Sequence, residues 1–160
     1  MIRALLDSNI LVSAFVVAAG PSAELVSRRE AGDFELCLSS DILAEIRDVL
    51  QRPRIRDRYG LSEEEIAGYV AALAARAHVV HAASPPQVVL ADPKDDHVLE
   101  AARLAGAHVL VTGDSHLLAL QEHLDVPIVP PARFLADLMQ RPGPAQPPPG
   151  GGDKPAAPAA

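Results

Sequence analysis

Tryptophan is absent from the 160 residues, and three Phe and two Tyr are the only aromatics, so a folded core has to be assembled from Leu, Val, Ile and Ala. Hydrophobic residues make up 49% of the chain, enough at this length for one aliphatic-cored domain, and a second is not expected. The single cysteine, Cys37, excludes a disulfide framework and a multi-cysteine zinc site within one chain. It lies between Leu36 and Leu38 in an alternating apolar stretch and reads as packing, not as a nucleophile. Positive charge is scarce as well. Fourteen Lys and Arg against 21 Asp and Glu give a net charge of −7, which excludes holding nucleic acid by bulk basicity; any polyanion has to be met locally. Long hydrophobic runs are lacking too. Ile10 to Ala19 imitates the apolar region of a signal peptide, but Asp7 and Asn9 spoil that pattern and the stretch is about half of what a membrane helix needs, so no membrane and a cytoplasmic location are expected.

Proline and glycine are unevenly spent. From Pro142 to Ala160 the chain is Pro, Gly and Ala apart from Gln146, Asp153 and Lys154, with no apolar bulk to offset chain entropy. The reading is a domain over residues 1–140 and a disordered tail over 141–160. Within the domain, buried strands are expected at Ile2 to Leu6, Phe34 to Leu38 and Val109 to Val111, a short one at Ile128 and Val129, and an edge strand at Val79 and Val80. Helices are expected from Ser22 to about Ala31, from Ser39 or Ser40 until Pro53 stops it, and from the capping box of Ser62 and Glu65 onward. Others run from Asp92-Pro93 to Gly106, from Ser115 to about Glu122, and from Ala132 to Met139. Strand and helix alternate, so the fold class is α/β: a central, mostly parallel sheet flanked by helices, with right-handed crossovers.

In such a sheet the strand carboxyl ends share one edge. Asp7 follows the first strand directly, and Asp114 follows Val109 to Val111 through Thr112 and Gly113, so residues more than a hundred positions apart can meet in one crevice. Two carboxylates there repel each other unless one is protonated or a cation sits between them. Glu45 falls at the border of the apolar stripe made by Ile42, Ile46 and Val49, where it can face the crevice or pair with an arginine such as Arg47 or Arg52. Asp95 and Asp96 lie in the first turn of a helix, where acids are favoured by the dipole without any function, and periodicity does not choose between them. Six histidines are present, none at a zinc-motif spacing; His116 is the one expected to line the crevice. Arg47, Arg52, Arg54, Arg56 and Arg58 concentrate positive charge in one short segment, a candidate phosphate-gripping rim.

Four strings, taken in order, resemble a known family: Asp7-Ser8-Asn9 after the first strand, Ser39-Ser-x-x-Leu-x-Glu45, Asp92-Pro-Lys-Asp-Asp-His-Val-Leu-Glu100, and Leu110-Val-Thr-Gly-Asp114. Over residues 1–140 they look like the PIN domain, a three-layer α/β fold, and more narrowly like the toxin components of bacterial toxin–antitoxin pairs. The resemblance implies a metal-dependent ribonuclease in which Asp7, Glu45, Asp96 and Asp114 hold Mg²⁺ or Mn²⁺. Asp96 is preferred to Asp95 on the family's spacing to the following apolar residues and to Ala101, with Asn9 and Thr112 as polar supports. It implies an RNA substrate, for which Arg47, Arg52 and Arg54 of the basic segment are the candidate grip, a cognate antitoxin as partner, and a homodimer. All-oxygen ligands suit hard cations of this kind, whereas zinc recruits His or Cys. Two other readings are set beside it. One is a phosphotransfer domain that phosphorylates Asp7, whose commonest form wants an acid where Asn9 stands; the other is a catalytically silent partner-binding module.

Overall fold

A computed structural model describes residues 1–81 and 93–141, with backbone alone for 93–95. The tail from Pro142 to Ala160, the Asp92 of the helix-start signature and the side chain of Asp95 therefore lie outside the described residues. The chain opens with β1 (Arg3–Leu6), α1 (Ser8–Val16), α2 (Pro21–Glu30), β2 (Glu35–Ser39) and α3 (Ser40–Gln51). Next come α4 (Pro53–Tyr59), α5 (Glu63–Arg76), β3 (His78–Val80), α6 (Pro93–Ala105) and β4 (Val109–Val111). It closes with α7 (Ser115–Leu120), β5 (Glu122–His123), β6 (Val126–Val129) and α8 (Pro131–Gln140).

The strands form one sheet in the order β3-β2-β1-β4-β6-β5, parallel throughout except for the β5–β6 pair. This is the three-layer α/β arrangement that the alternating apolar runs imply. β1 is central and has β2 and β4 as neighbours, with Leu5 opposite Cys37 on one side and Leu110 on the other. The residues that follow β1 and β4 are thereby adjacent, and the Asp7 N–H donates to the Val111 carbonyl at 2.9 Å.

The core is aliphatic, as the composition requires. Leu5, Leu38, Leu110 and Val111 are fully buried between layers, and α3 buries Ile42, Ile46 and Leu50 on the stripe its periodicity defines. The scarce aromatics are used in pairs. Phe34 meets Phe134 edge to face at 5.2 Å, and Phe15 stacks on Tyr69 at 4.2 Å while the Tyr69 hydroxyl donates to the Leu11 carbonyl. Cys37 is fully buried in β2, and burial pushes its thiol up to about 11. Ionisation alone then slows its reaction with a thiol reagent about 300-fold relative to an ordinary exposed cysteine. Native protein is expected to show no rapid thiol titration, and unfolded protein one equivalent per chain.

Three elements differ from the sequence expectation. The apolar stretch after Asp7 is a helix, α1, which Asp7 caps. Pro53 does end α3, but it also occupies the first position of a further helix, α4, where its missing N–H costs nothing. The helix expected to run to Glu122 stops at Leu120 because Gln121 takes φ +62°. Glu122 and His123 then pair with Pro127 and Val126 across a two-residue turn in which Leu124 and Asp125 both have positive φ. Among the described residues no single helix is long and apolar enough to cross a membrane; α1 and α2, which follow one another, are bent by 94°.

Candidate active site

The first acid is placed by the end of β1. Asp7 leaves the strand in an extended conformation and becomes the N-cap of α1, its Oδ1 accepting from the Ser8 N–H at 2.7 Å. Its other oxygen, Oδ2, accepts from the Thr112 hydroxyl at 2.8 Å. Thr112 is fully buried just beyond β4, and its Oγ1 in turn accepts from the Asp114 N–H at 3.0 Å. One hydroxyl thus links the two acids that the strand ends bring together. Asp114 caps α7 through Oδ1, which accepts from the N–H groups of His116 at 2.8 Å and Leu117 at 3.2 Å. Asn9 adds a longer tie, its Oδ1 accepting from the Gly113 N–H at 3.5 Å. Asn9 and Thr112 both bridge the β1 and β4 ends.

Helix capping alone is a sufficient local reason for an aspartate at either position. What capping does not explain is the crevice. Asp7, Glu45 and Asp114 line one depression of about 480 Å³, together with Asn9, Arg52 and His97. Glu45 reaches it from the second turn of α3, which resolves the border position that periodicity left open. Burial raises the Asp7 pKa above its ordinary value; the Glu45 charge adds to the rise, while the Thr112 hydroxyl, the Ser8 N–H and His97 act against it. Glu45 also lies 3.5 Å, Oε2 to Nε2, from His97, and this contact raises the histidine's pKa against the opposing effect of its burial. The site therefore holds carboxylates at a cost, and positive charge from a cation or a protonated histidine offsets it.

Asp96 is buried, 3% exposed, but is not among the residues lining this crevice. The neighbouring His97 and Val98 are. His97 is the functional candidate that sequence reasoning overlooked; the signal available was its position directly after the acid pair in the Asp92 string. Its Nδ1 is buried without a hydrogen-bond partner among the described residues. The expectation for His116 is corrected. Its backbone is tied into the first turn of α7 by Asp114, and its side chain, 63% exposed, is not among the crevice lining, although its Nδ1 lies 3.7 Å from Oδ1 of Asp114, which is. Of the arginines, Arg52 lines the crevice, Arg54 lines a groove next to it, and Arg47 is exposed and lines neither.

A divalent cation fits this donor set in kind. The crevice offers carboxylate and amide oxygens, and among the described residues no group of three His, Cys, Asp or Glu forms a ready-made cage. Mg²⁺ in particular is commonly held by one or two carboxylates with waters and substrate phosphates completing its shell, so a close cage is not required.

Comparison with known proteins agrees with this architecture. A family model described as "PIN domain" matches residues 3–116, a span that contains Asp7, Glu45, Asp96 and Asp114. Among solved structures, the crystal structure of VapBC2 from Rickettsia felis bound to a DNA fragment from their promoter superposes with a TM-score of 0.54 at 14% identity. The alignment covers 81% of this chain and 98% of that one, a likeness of fold. No curated protein matches the sequence.

Proposed function

Since the chain belongs to the PIN domain family, whose members are generally nucleases that use divalent metal ions, we propose that it is a Mg²⁺- or Mn²⁺-dependent endoribonuclease. We further propose that it is the toxin of a toxin–antitoxin pair, held in the cytoplasm by a cognate antitoxin and assembled as a homodimer. The observation that carries the nuclease reading is the convergence of Asp7, Glu45 and Asp114 on one crevice at the carboxyl ends of β1 and β4, with Arg52 at its side. A cation held by these acids would supply positive charge for the scissile phosphate and acidify a water.

The chain's own groups provide the rest. Thr112 keeps one face of Asp7 engaged through Oδ2 and, through its bond from the Asp114 N–H, holds the first turn of α7 at a fixed distance from α1. Asn9 reinforces that spacing. His97 restrains the Glu45 carboxylate, and Arg52 offers a guanidinium to phosphate entering the crevice. Attack by water with departure of the 3′-oxygen would leave a 5′-phosphate and a 3′-hydroxyl, the ends that the family resemblance implies.

The fourth acid is assigned to Asp96 from the resemblance, and since Asp96 is buried and not among the crevice lining, a sharp test is possible. With Asp96 in the set, Asp96→Asn is expected to lower the cleavage rate by two orders of magnitude or so, and Asp95→Asn to change it by less than about threefold, as for an acid serving the helix dipole alone. The reverse pattern in a single-turnover assay would move the fourth acid to Asp95.

A further inference from the structure

The arginines of α4 alternate in sequence, at positions 54, 56 and 58, after Arg52 at the helix entrance. On a helix, alternate residues do not share a face, whereas residues four apart do. Arg54 and Arg58 therefore fall together, next to the pair Ile55 and Tyr59, and Arg56 is turned away. The ion pairs agree: Arg56 meets Glu63 at 3.6 Å, while Arg54 and Arg58 have no carboxylate partner among the described residues. The face they form lines a groove of about 480 Å³, to which Val12 and Val16 of α1 and Tyr59 also contribute. Arg58 sits over the Tyr59 ring, its guanidinium carbon 5.4 Å from the centroid, and the tyrosine as a whole is 39% exposed.

This groove adjoins the carboxylate crevice: Val12, Val16 and Arg52 line both. It thus combines two guanidinium groups without a carboxylate partner among the described residues, apolar side chains and a partly exposed aromatic residue. Guanidinium groups grip phosphate and an aromatic face stacks an unpaired base, the two elements of single-strand recognition. In a net acidic protein, this is positive charge placed beside the carboxylate crevice.

We propose that the α1–α4 groove is a subsite for single-stranded RNA, in which Arg54 and Arg58 hold the backbone flanking the cleaved bond and Tyr59 stacks a base. The proposal rests on the ribonuclease reading for the identity of the strand. It makes α4 the element that selects unpaired RNA, since a base inside a duplex cannot reach the ring.

The test uses full-length protein in chelator at low salt, so that binding is read without cleavage, and fluorescently labelled RNA oligonucleotides of increasing length. Affinity is expected to rise in a step at the length that reaches from the crevice to Tyr59. Tyr59→Ala should remove about tenfold of that step and Tyr59→Phe should keep it. A 2-aminopurine at the matching position should be quenched by the wild type and by Tyr59→Phe, and not by Tyr59→Ala. Duplexes of equal length should show no step. Identical length series for wild type and Tyr59→Ala, or no step in the wild type, would overturn the proposal; the latter is the outcome for a groove that receives a peptide from a protein partner. A step that persists in protein unable to cleave the same oligonucleotides with Mg²⁺ or Mn²⁺ would leave the subsite standing and remove the ribonuclease reading.

Discussion

Replacing Asp7 with Asn is expected to abolish metal-supported RNA cleavage, a loss on the order of 10³-fold, the upper range for removing one electrostatic group from a preorganised site. The fold should survive. Asn is as good an N-cap as Asp, so the bond from the Ser8 N–H can be kept, and an amide can meet the Thr112 hydroxyl. In chelator the variant should be the more stable protein at neutral pH. Burial, with the Glu45 charge, raises the Asp7 pKa in the folded state above its ordinary 3.8, so the native protein binds the proton more tightly than the unfolded chain does. The wild type is therefore penalised as pH rises through the raised native value, and the penalty is absent below the unfolded value near 3.8. Thermal or denaturant unfolding of the two proteins should show an advantage for Asp7→Asn at pH 7 that shrinks on acidification and closes below about pH 4. Full activity of the variant would remove Asp7 from the site. An advantage unchanged across this pH range would mean that the stability difference does not arise from ionisation.

The second large effect concerns how a chain of net charge −7 binds a polyanion at all. Asp7, Glu45 and Asp114 line the crevice with Arg52 and His97 as its basic groups, so in chelator the incoming phosphate meets an excess of negative charge. At an effective dielectric near 20 a unit charge about 6 Å away contributes roughly 3 kcal/mol. Two added positive charges, screened and partly offset by dehydration of the ion, are then expected to raise RNA affinity by about tenfold to a hundredfold. Stopped-flow fluorescence anisotropy of the wild-type chain with Mg²⁺ or Mn²⁺ against chelator, read before cleavage, measures this directly. Replacing Arg52 and Arg54 with Ala should weaken binding in both conditions and flatten its salt dependence, because those contacts are to phosphate and not to the ion. Equal affinity with and without metal would place the RNA elsewhere on the surface.

Much of this site was legible because it depends on strand ends. The apolar runs before Asp7 and Asp114 fixed β1 and β4 as buried strands, and a parallel sheet puts their carboxyl ends on one edge. Glu45 was legible only to the border of a stripe, since a helix residue there faces whichever neighbour the tertiary fold supplies. α1 was not foreseen. Ile10, Leu11, Val12, Ala14, Phe15 and Val16 are apolar nearly all round, so the segment has no polar face by which to be read as an amphipathic helix. α4 was hidden by Pro53, which ends one helix and begins another, and with it went the arrangement of Arg54, Arg58 and Tyr59 as one face. β5 was hidden because Leu124 and Asp125 adopt left-handed backbone angles without the Asn-Gly or Gly signature of such turns. His97 was overlooked because its role depends on where α6 lies against α3, which no local pattern encodes.

The most direct test of the central claim is end-group analysis of RNA incubated with the purified full-length chain in Mg²⁺, in Mn²⁺ and in chelator. The account predicts cleavage in either metal and none in chelator, with 5′-phosphate and 3′-hydroxyl ends, the ends left when water attacks the phosphate in line and the 3′-oxygen departs, as the family resemblance implies. Cleavage that persists in chelator and leaves a 2′,3′-cyclic phosphate would contradict it.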